Sequence, residues 1–305
     1  MNDYPIGRYS EILEYPEKLT LCLPVRDEVA MEDLERCLKS IDEQSYKNFN
    51  LLIVDQSSNG TVRYFADNRS WVVVVGVHSS SVIEHLNTCL DLAMGDYIKF
   101  IQPENTLLPG GLETFAGILN EYSDVDLASC PLAVANADNQ YYITQFLKQA
   151  AIVPNQLAFA HGLFEGNVTG ELSGQIFRKS VIDEFELKFD SRLPLLHVFH
   201  FSLKMFFYGK NFAYTDQPQY VNHKYRNDLK VDPVEYFKEE FQLRRLILEE
   251  CKPVLDQNFI NGIEYKMTIT EKACNKGLNE SASQELAKSS KEALDYFGSF
   301  SFHET

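Results

Sequence analysis

Basic residues are scarce in this chain. Across 305 residues Lys and Arg number 28 against 44 Asp and Glu, a formal charge of -16. That deficit disfavours an electrostatic grip on nucleic acid phosphates or on an anionic membrane surface, and leaves room only for a local basic pocket. Closely spaced cysteines are missing too. Cys22, Cys37, Cys89, Cys130, Cys251 and Cys274 form no CxxC pair and no His/Cys ladder at zinc-ligand spacing, as expected of a reducing compartment. Apolar runs such as Trp71 to Val75 are too short to cross a bilayer, and no charged stretch followed by an apolar one opens the chain. The cytoplasm is therefore the expected location, and the Asn-x-Ser/Thr triplets at Asn68, Asn167 and Asn279 become chance matches. The first strand-to-helix turn, Pro24 to Glu28, lacks Gly-x-Gly-x-x-Gly, which argues against a dinucleotide-dependent dehydrogenase.

What is present is an ordinary globular composition, 45% hydrophobic, enough for one large core and a smaller appendage. Leu19 to Leu23 is a short apolar run stopped by Pro24, as expected of a buried first strand. Leu34, Cys37, Leu38 and Ile41 then recur at helical spacing within 31–46. Leu51 to Val54 ends on Asp55 and opens into a turn-rich stretch through Gly60. The alternation continues with a strand over 71–77, a helix over 82–93 and a strand over 97–101, which predicts a mostly parallel sheet covered on both faces.

Ligands of such sheets bind beyond the C-terminal strand ends, so the segments to inspect are 24–28, 55–61 and 102–105. Further on, 109–122 reads as a helix, 126–131 as a strand, and 132–172 as aromatic and amide-rich loops covering the site. A strand at 174–178, a helix over about 196–208 and a strand at 211–214 follow, and from Pro233 the chain reads as helical to the end. The expected organisation is a lead-in over 1–18, an α/β unit over 19–228 and a helical extension over 229–305.

Taken in order, these pieces resemble a family 2 glycosyltransferase of the GT-A fold, a Rossmann-like α/β architecture, over Leu19 to Arg226. Leu21 to Glu28 is similar to the family's strand followed by Pro-x-Tyr-Asn-Glu. Leu34 to Ile41 resembles its leucine-rich helix, and Leu52 to Asp55 followed by Ser58 to Thr61 its Val-Asp-Asp-Gly-Ser turn. Asn87, Gly95 to Ile98, Leu108 to Gly110, and Phe189-Asp190 through Tyr208-Gly209 follow at the family's spacing.

The resemblance implies transfer of a sugar from a UDP-type nucleotide donor to a glycan, lipid-linked or protein acceptor, with inversion, as in a hexosyltransferase. Three jobs follow: holding the nucleotide, neutralising the departing diphosphate, and deprotonating the acceptor hydroxyl. For the first, the resemblance assigns Pro24, Val25, Arg26, Glu28 and Asp55. The Asp55 carboxylate either accepts a base N–H or forms an Asx turn for its own loop. For the second, the Asp-x-Asp motif is degenerate: Gln102 stands for the first acid and Glu104 for the second. Glu104 with His223 is the candidate ligand set for Mn²⁺ or Mg²⁺, and His223, Lys224 and Arg226 are the metal-free alternative for the phosphates.

For the third job, the family's acidic pair becomes His197-Val198, which leaves His197 as candidate base. The Arg usually found before Asn87 is Leu86. The same losses motivate a second reading, a catalytically inactive GT-A relative serving as a binding or assembly subunit. It would dock a partner glycosyltransferase or another copy of itself through the C-terminal helices.

Overall fold

A computed structural model describes residues 18–57, 60–67, 69–79, 81–135, 141–223 and 232–275. The expected helix beyond 275, the triplets at Asn68 and Asn279, and Ser58 and Asn59 of the turn after Asp55 lie outside the described residues. The architecture is the expected α/β one. An eight-stranded sheet has the order β3-β2-β1-β4-β10-β6-β11-β9. Its first four strands, β1 (Leu19–Val25), β2 (Phe49–Asp55), β3 (Val72–Gly76) and β4 (Tyr97–Phe100), are mutually parallel. Helices α1 (Met31–Asp42), α2 (Thr61–Ala66) and α3 (Val82–Leu92) connect them.

All seven residues of β1 and of β2 are buried, because helices cover both faces of the sheet and no position faces water. One core cluster gathers Cys22, Leu52, Val54, Ile98 and Phe100 on one face, and another gathers Leu19, Leu21, Leu23, Ile53 and Ile101 on the other. Truncating Leu21, with no exposed surface, to Ala would cost about 2–5 kcal/mol. Ser81 caps α3 by accepting the Glu84 N–H at 3.3 Å, within a Ser-x-x-Glu pattern of the kind that opens helices.

Two expectations are corrected. Pro24 does not stop the first strand: β1 runs on to Val25, with Pro24 opposite Val54. The Val25 carbonyl points toward β2 and accepts the Gln56 N–H, so the missing N–H of Pro24 faces β4, whose pairing with β1 has already ended at Cys22 and Phe100. Residues 132–172 are not simply loops either. They contain β7 (Leu132–Ala135), β8 (Tyr141–Thr144), β9 (Ala151–Pro154) and α5 (Asn155–Phe164). Strand β8 is exposed at every position, so it lacks the apolar alternation by which a half-buried strand is recognised.

A second sheet, β5-β12-β7-β8, hangs beside the first, with β5 at Asn105–Leu107 and β12 at Tyr220–Asn222. Helix α4 (Gly111–Glu121) leads to β6 (Val125–Ser129), and β10 (Gln175–Arg178) to α6 (Lys179–Glu184). Helix α7 (His197–Tyr208) precedes β11 (Asn211–Tyr214). At the C-terminus α8 (Pro233–Cys251) and α9 (Gln257–Asn275) bury Leu243, Leu246, Ile247, Ile260 and Ile263 in the core cluster that also holds Phe159, Leu163, Phe199 and Leu203. Their apolar faces are thus used within the chain. Among the described residues no helix is long and apolar enough to cross a membrane.

Candidate active site

Val25, Asp55 and Gly76 lie side by side where three parallel strands end. Asp55 is only 2% exposed, and its Oδ1 accepts both the backbone N–H of Ser57 (2.8 Å) and its hydroxyl (2.7 Å). The Asx turn therefore exists, and it aims a buried carboxylate at the C-terminal edge of the sheet. Arg26 and Glu28 follow β1 at the same edge and pair at 3.7 Å. Glu28 is exposed and Arg26 half-buried, so a pair at this distance adds little stability.

The turn after β4 carries Gln102 and Glu104 and is anchored from below. The Ser173 hydroxyl accepts the Gln102 N–H (3.0 Å) and the Asn105 side-chain amide (2.8 Å). Helix α1 holds the turn from the side, with the Cys37 thiol donating to the Gln102 carbonyl (3.7 Å) and Ser40 accepting the Leu107 N–H (3.1 Å). Burial raises the Cys37 thiol, and the charge of half-buried Glu104 raises it further. Gln102 thus contributes mainly backbone to this turn, and Glu104 brings its charge to the same place.

His223 follows β12, which pairs with β5, and its Nε2 lies 2.9 Å from the Thr106 hydroxyl. Burial and then the charge of Arg36 hold its pKa below the ordinary histidine value, against a smaller pull from Asp33. A neutral imidazole is the form that ligates a metal. Among the described residues no group of three or more His, Cys, Asp or Glu is arranged around an ion. Glu104 and His223 would therefore hold an ion only with substrate phosphates and water completing its shell, the mode usual for Mg²⁺ at carboxylates. Lys224 and Arg226 lie outside the described residues. Arg36, paired with Asp33 at 2.6 Å, is the described cation whose charge reaches His223.

His197 opens α7, half-buried, with its ring edge on Phe189 at 6.1 Å; Phe189 in turn meets Phe100, the last residue of β4, at 5.7 Å. His197 Nδ1 is 3.1 Å from the Pro194 carbonyl. A carbonyl can only accept, so Nδ1 carries the proton and Nε2 is the basic nitrogen of the neutral ring. Val198 adds no polar group. A carboxylate nevertheless stands at this helix start: Glu239 of α8 accepts the backbone N–H groups of Leu195 (2.9 Å) and Leu196 (2.8 Å).

A hollow of about 370 Å³, walled by Asp96, Arg178, Lys179 and Asp183, opens at the opposite end of β4, where its cations are taken up by Asp183 and by backbone carbonyls. Its position is wrong for strand-end chemistry. Sequence reasoning missed Glu239, Ser173, Lys99 and Glu171. Glu171 accepts the Asn222 side-chain amide at 2.9 Å beside His223, and no local pattern in the sequence announces that contact.

The sheet order, the strand-end carboxylate and the acidic turn after the fourth strand define a nucleotide-diphospho-sugar transferase fold. The chain belongs to glycosyl transferase family 2, whose family model matches residues 20–185. It is 24% identical over 233 residues to the putative glycosyltransferase EpsH of Bacillus subtilis (strain 168), spanning 74% of this chain but only 66% of that relative. Among solved structures, S. aureus TarS 1-349 in complex with UDP-GlcNAc superposes with a TM-score of 0.66 at 15% identity, over 89% of this chain and 79% of TarS 1-349. The mannosyltransferase PcManGT of Pyrobaculum calidifontis, in complex with GDP-Man and Mn²⁺, does so at 0.54 and 15%, over 94% of this chain and 86% of its own.

Proposed function

We propose that this chain transfers a sugar from a UDP-type nucleotide donor to a glycan, lipid-linked or protein acceptor in the cytoplasm, with inversion. The observation that carries the reading is the convergence of buried Asp55 and the Glu104 turn, with His223 beside it, at one edge of a family 2 sheet. Asp55 accepts an N–H of the base, while Pro24, Val25 and Glu28 line the ribose. Glu104, His223 and Arg26 face the diphosphate, Lys224 and Arg226 are further phosphate contacts by their place in the sequence alone, and a divalent ion, when bound, supplies positive charge against the leaving group. His197 Nε2 takes the acceptor proton as the new bond to the anomeric carbon forms and the bond to the diphosphate breaks.

The UDP-GlcNAc complex of TarS and the GDP-Man and Mn²⁺ complex of PcManGT support the donor class. The test is a panel of nucleotide sugars with Mn²⁺, read by donor hydrolysis and by thermal shift. Turnover with a UDP-sugar is expected. Absence of both signals with every donor would sink the reading.

Gln102 and Val198 favour a second reading, an inactive subunit that binds nucleotide and docks another glycosyltransferase or its own copy through the C-terminal helices. A thermal shift with UDP but no turnover with any donor would establish it. An isolated monomer with robust turnover would remove it.

A further inference from the structure

Lys99 sits in β4 with no exposed surface, three residues before Gln102. Its neighbours across the sheet are Leu21 of β1 and Ile176 of β10, and its ammonium lies over the Phe115 ring of α4 at 4.9 Å. An isolated ammonium in such surroundings is costly, and it persists only where hydrogen bonds compensate it. The compensation is specific. Lys99 Nζ donates to the carbonyl of Phe100 at 3.1 Å and to that of Ser173. Ser173 is the residue whose hydroxyl accepts the Gln102 N–H and the Asn105 amide.

We infer that Lys99 is a positioning residue: acting through Ser173, its internal cation sets the turn that carries Glu104 and lends positive charge to the diphosphate site above it. The effect on the turn stands on the hydrogen bonds alone, whereas the effect on nucleotide affinity rests on the donor-site reading above. Three residues separate Gln102 from Lys99, at most about 10 Å of chain at roughly 3.3 Å per residue. At that range a unit charge changes anion affinity on the order of tenfold at an effective dielectric of about 20.

Burial has lowered the Lys99 ammonium to about 7, so its charge varies across the neutral range. The titratable groups facing it do not vary there. Burial pushes the Cys130 thiol up to about 11, and burial with the Glu171 carboxylate holds the Tyr220 phenol, next to Cys130, well above its ordinary value. From β1, β10 and α4 it is faced by Leu21, Ile176 and Phe115, which carry no charge. His223, held low, is already neutral.

The experiment combines UDP titration calorimetry in Mg²⁺ from roughly pH 7 to pH 9 with amide exchange at Gln102. Wild type, Lys99→Met and Ser173→Ala are compared. In wild type, affinity for UDP falls on the order of tenfold as pH rises over that range. Lys99→Met removes the slope, weakens binding at the low-pH end, and speeds Gln102 exchange. Ser173→Ala speeds Gln102 exchange while keeping the slope, a split that general loosening of the fold would not produce.

Unchanged Gln102 exchange in Lys99→Met, or a pH slope that survives the substitution, would overturn the proposal. If Lys99→Met does not fold, a flat wild-type slope or unchanged Gln102 exchange in Ser173→Ala does so instead. If no nucleotide binds wild type at any pH, the donor-site reading falls, and Gln102 exchange still decides whether Lys99 holds the turn.

Discussion

The side-chain amide of Asn87 closes on the backbone of Phe189 from both directions: its Nδ2 donates to the carbonyl at 3.0 Å and its Oδ1 accepts the N–H at 2.9 Å. This pairing fastens α3 to the segment that leads into α7. Phe189 then stacks on Phe201 at 4.3 Å and carries the His197 ring on its edge. The asparagine that resembled a family motif is therefore a clamp that orients the candidate base.

Asn87→Ala should cost about 2–3 kcal/mol, since two hydrogen bonds are lost and both backbone groups of Phe189 are left half-buried without them. Urea midpoints measure it. Asn87→Asp should cost a comparable amount, because an oxygen then faces the Phe189 carbonyl. A change within about 0.5 kcal/mol of wild type for both variants would mean that the clamp is idle.

Glu239 satisfies two backbone N–H groups at the start of α7 that have no partner inside that helix. Glu239→Ala should therefore lower stability by about 1 kcal/mol, the usual worth of a helix cap. Burial raises the Glu239 carboxyl above its ordinary value, although the Leu195 and Leu196 amides pull it down. A raised value in the folded state means stability from this group falls as pH rises through the window between the unfolded and folded values. Glu239→Gln, neutral throughout, should flatten that part of the pH–stability curve; a variant curve parallel to wild type would contradict the assignment.

The parallel half of the fold was legible because β1, β2 and β4 are buried on both faces and read as continuous apolar runs. The helical face of Leu34, Cys37, Leu38 and Ile41 emerged equally well. Strand β8 was not legible, since an edge strand exposed at all four positions shows no burial pattern. Pro24 misled because its missing N–H matters only if the facing strand needs it, and β4 does not. At the site, Asp55 was located by its strand-end position. Glu239 reaches Leu195 from 44 residues away, and Lys99 differs from a surface lysine only by what surrounds it, so neither leaves a trace in local sequence.

His200 lies one turn beyond His197, 2% exposed, and among the described residues neither ring nitrogen has a hydrogen-bond partner. Burial, and then the charge of Lys204, lower its pKa to about 4, while Asp190 and Glu250 oppose this and Arg192 adds to it. In the unfolded chain the ring protonates near its ordinary value, so the unfolded state binds more protons between that value and about 4. Stability should therefore fall as pH drops through that window, by on the order of 3 kcal/mol when complete. His200→Leu removes the slope. Thermal melts from neutral pH down to about pH 4 provide the comparison, and an equal acid loss in both proteins would place its cause elsewhere.

Glu104 separates two ways of neutralising a diphosphate. If a divalent ion is held there, UDP affinity in Mn²⁺ exceeds that in EDTA, and Glu104→Gln abolishes the difference. The loss should be about tenfold to a hundredfold, the worth of one charge-assisted contact. If Arg36, His223 and the cations after it do the work alone, wild-type affinity is the same in both buffers. Glu104→Gln then strengthens binding, because it removes a negative charge from beside the phosphates. The sign of the change in Mn²⁺ decides between them. Of the two we propose the ion, since neutral His223 would supply a nitrogen ligand and no charge, and a lone carboxylate beside a diphosphate would repel it.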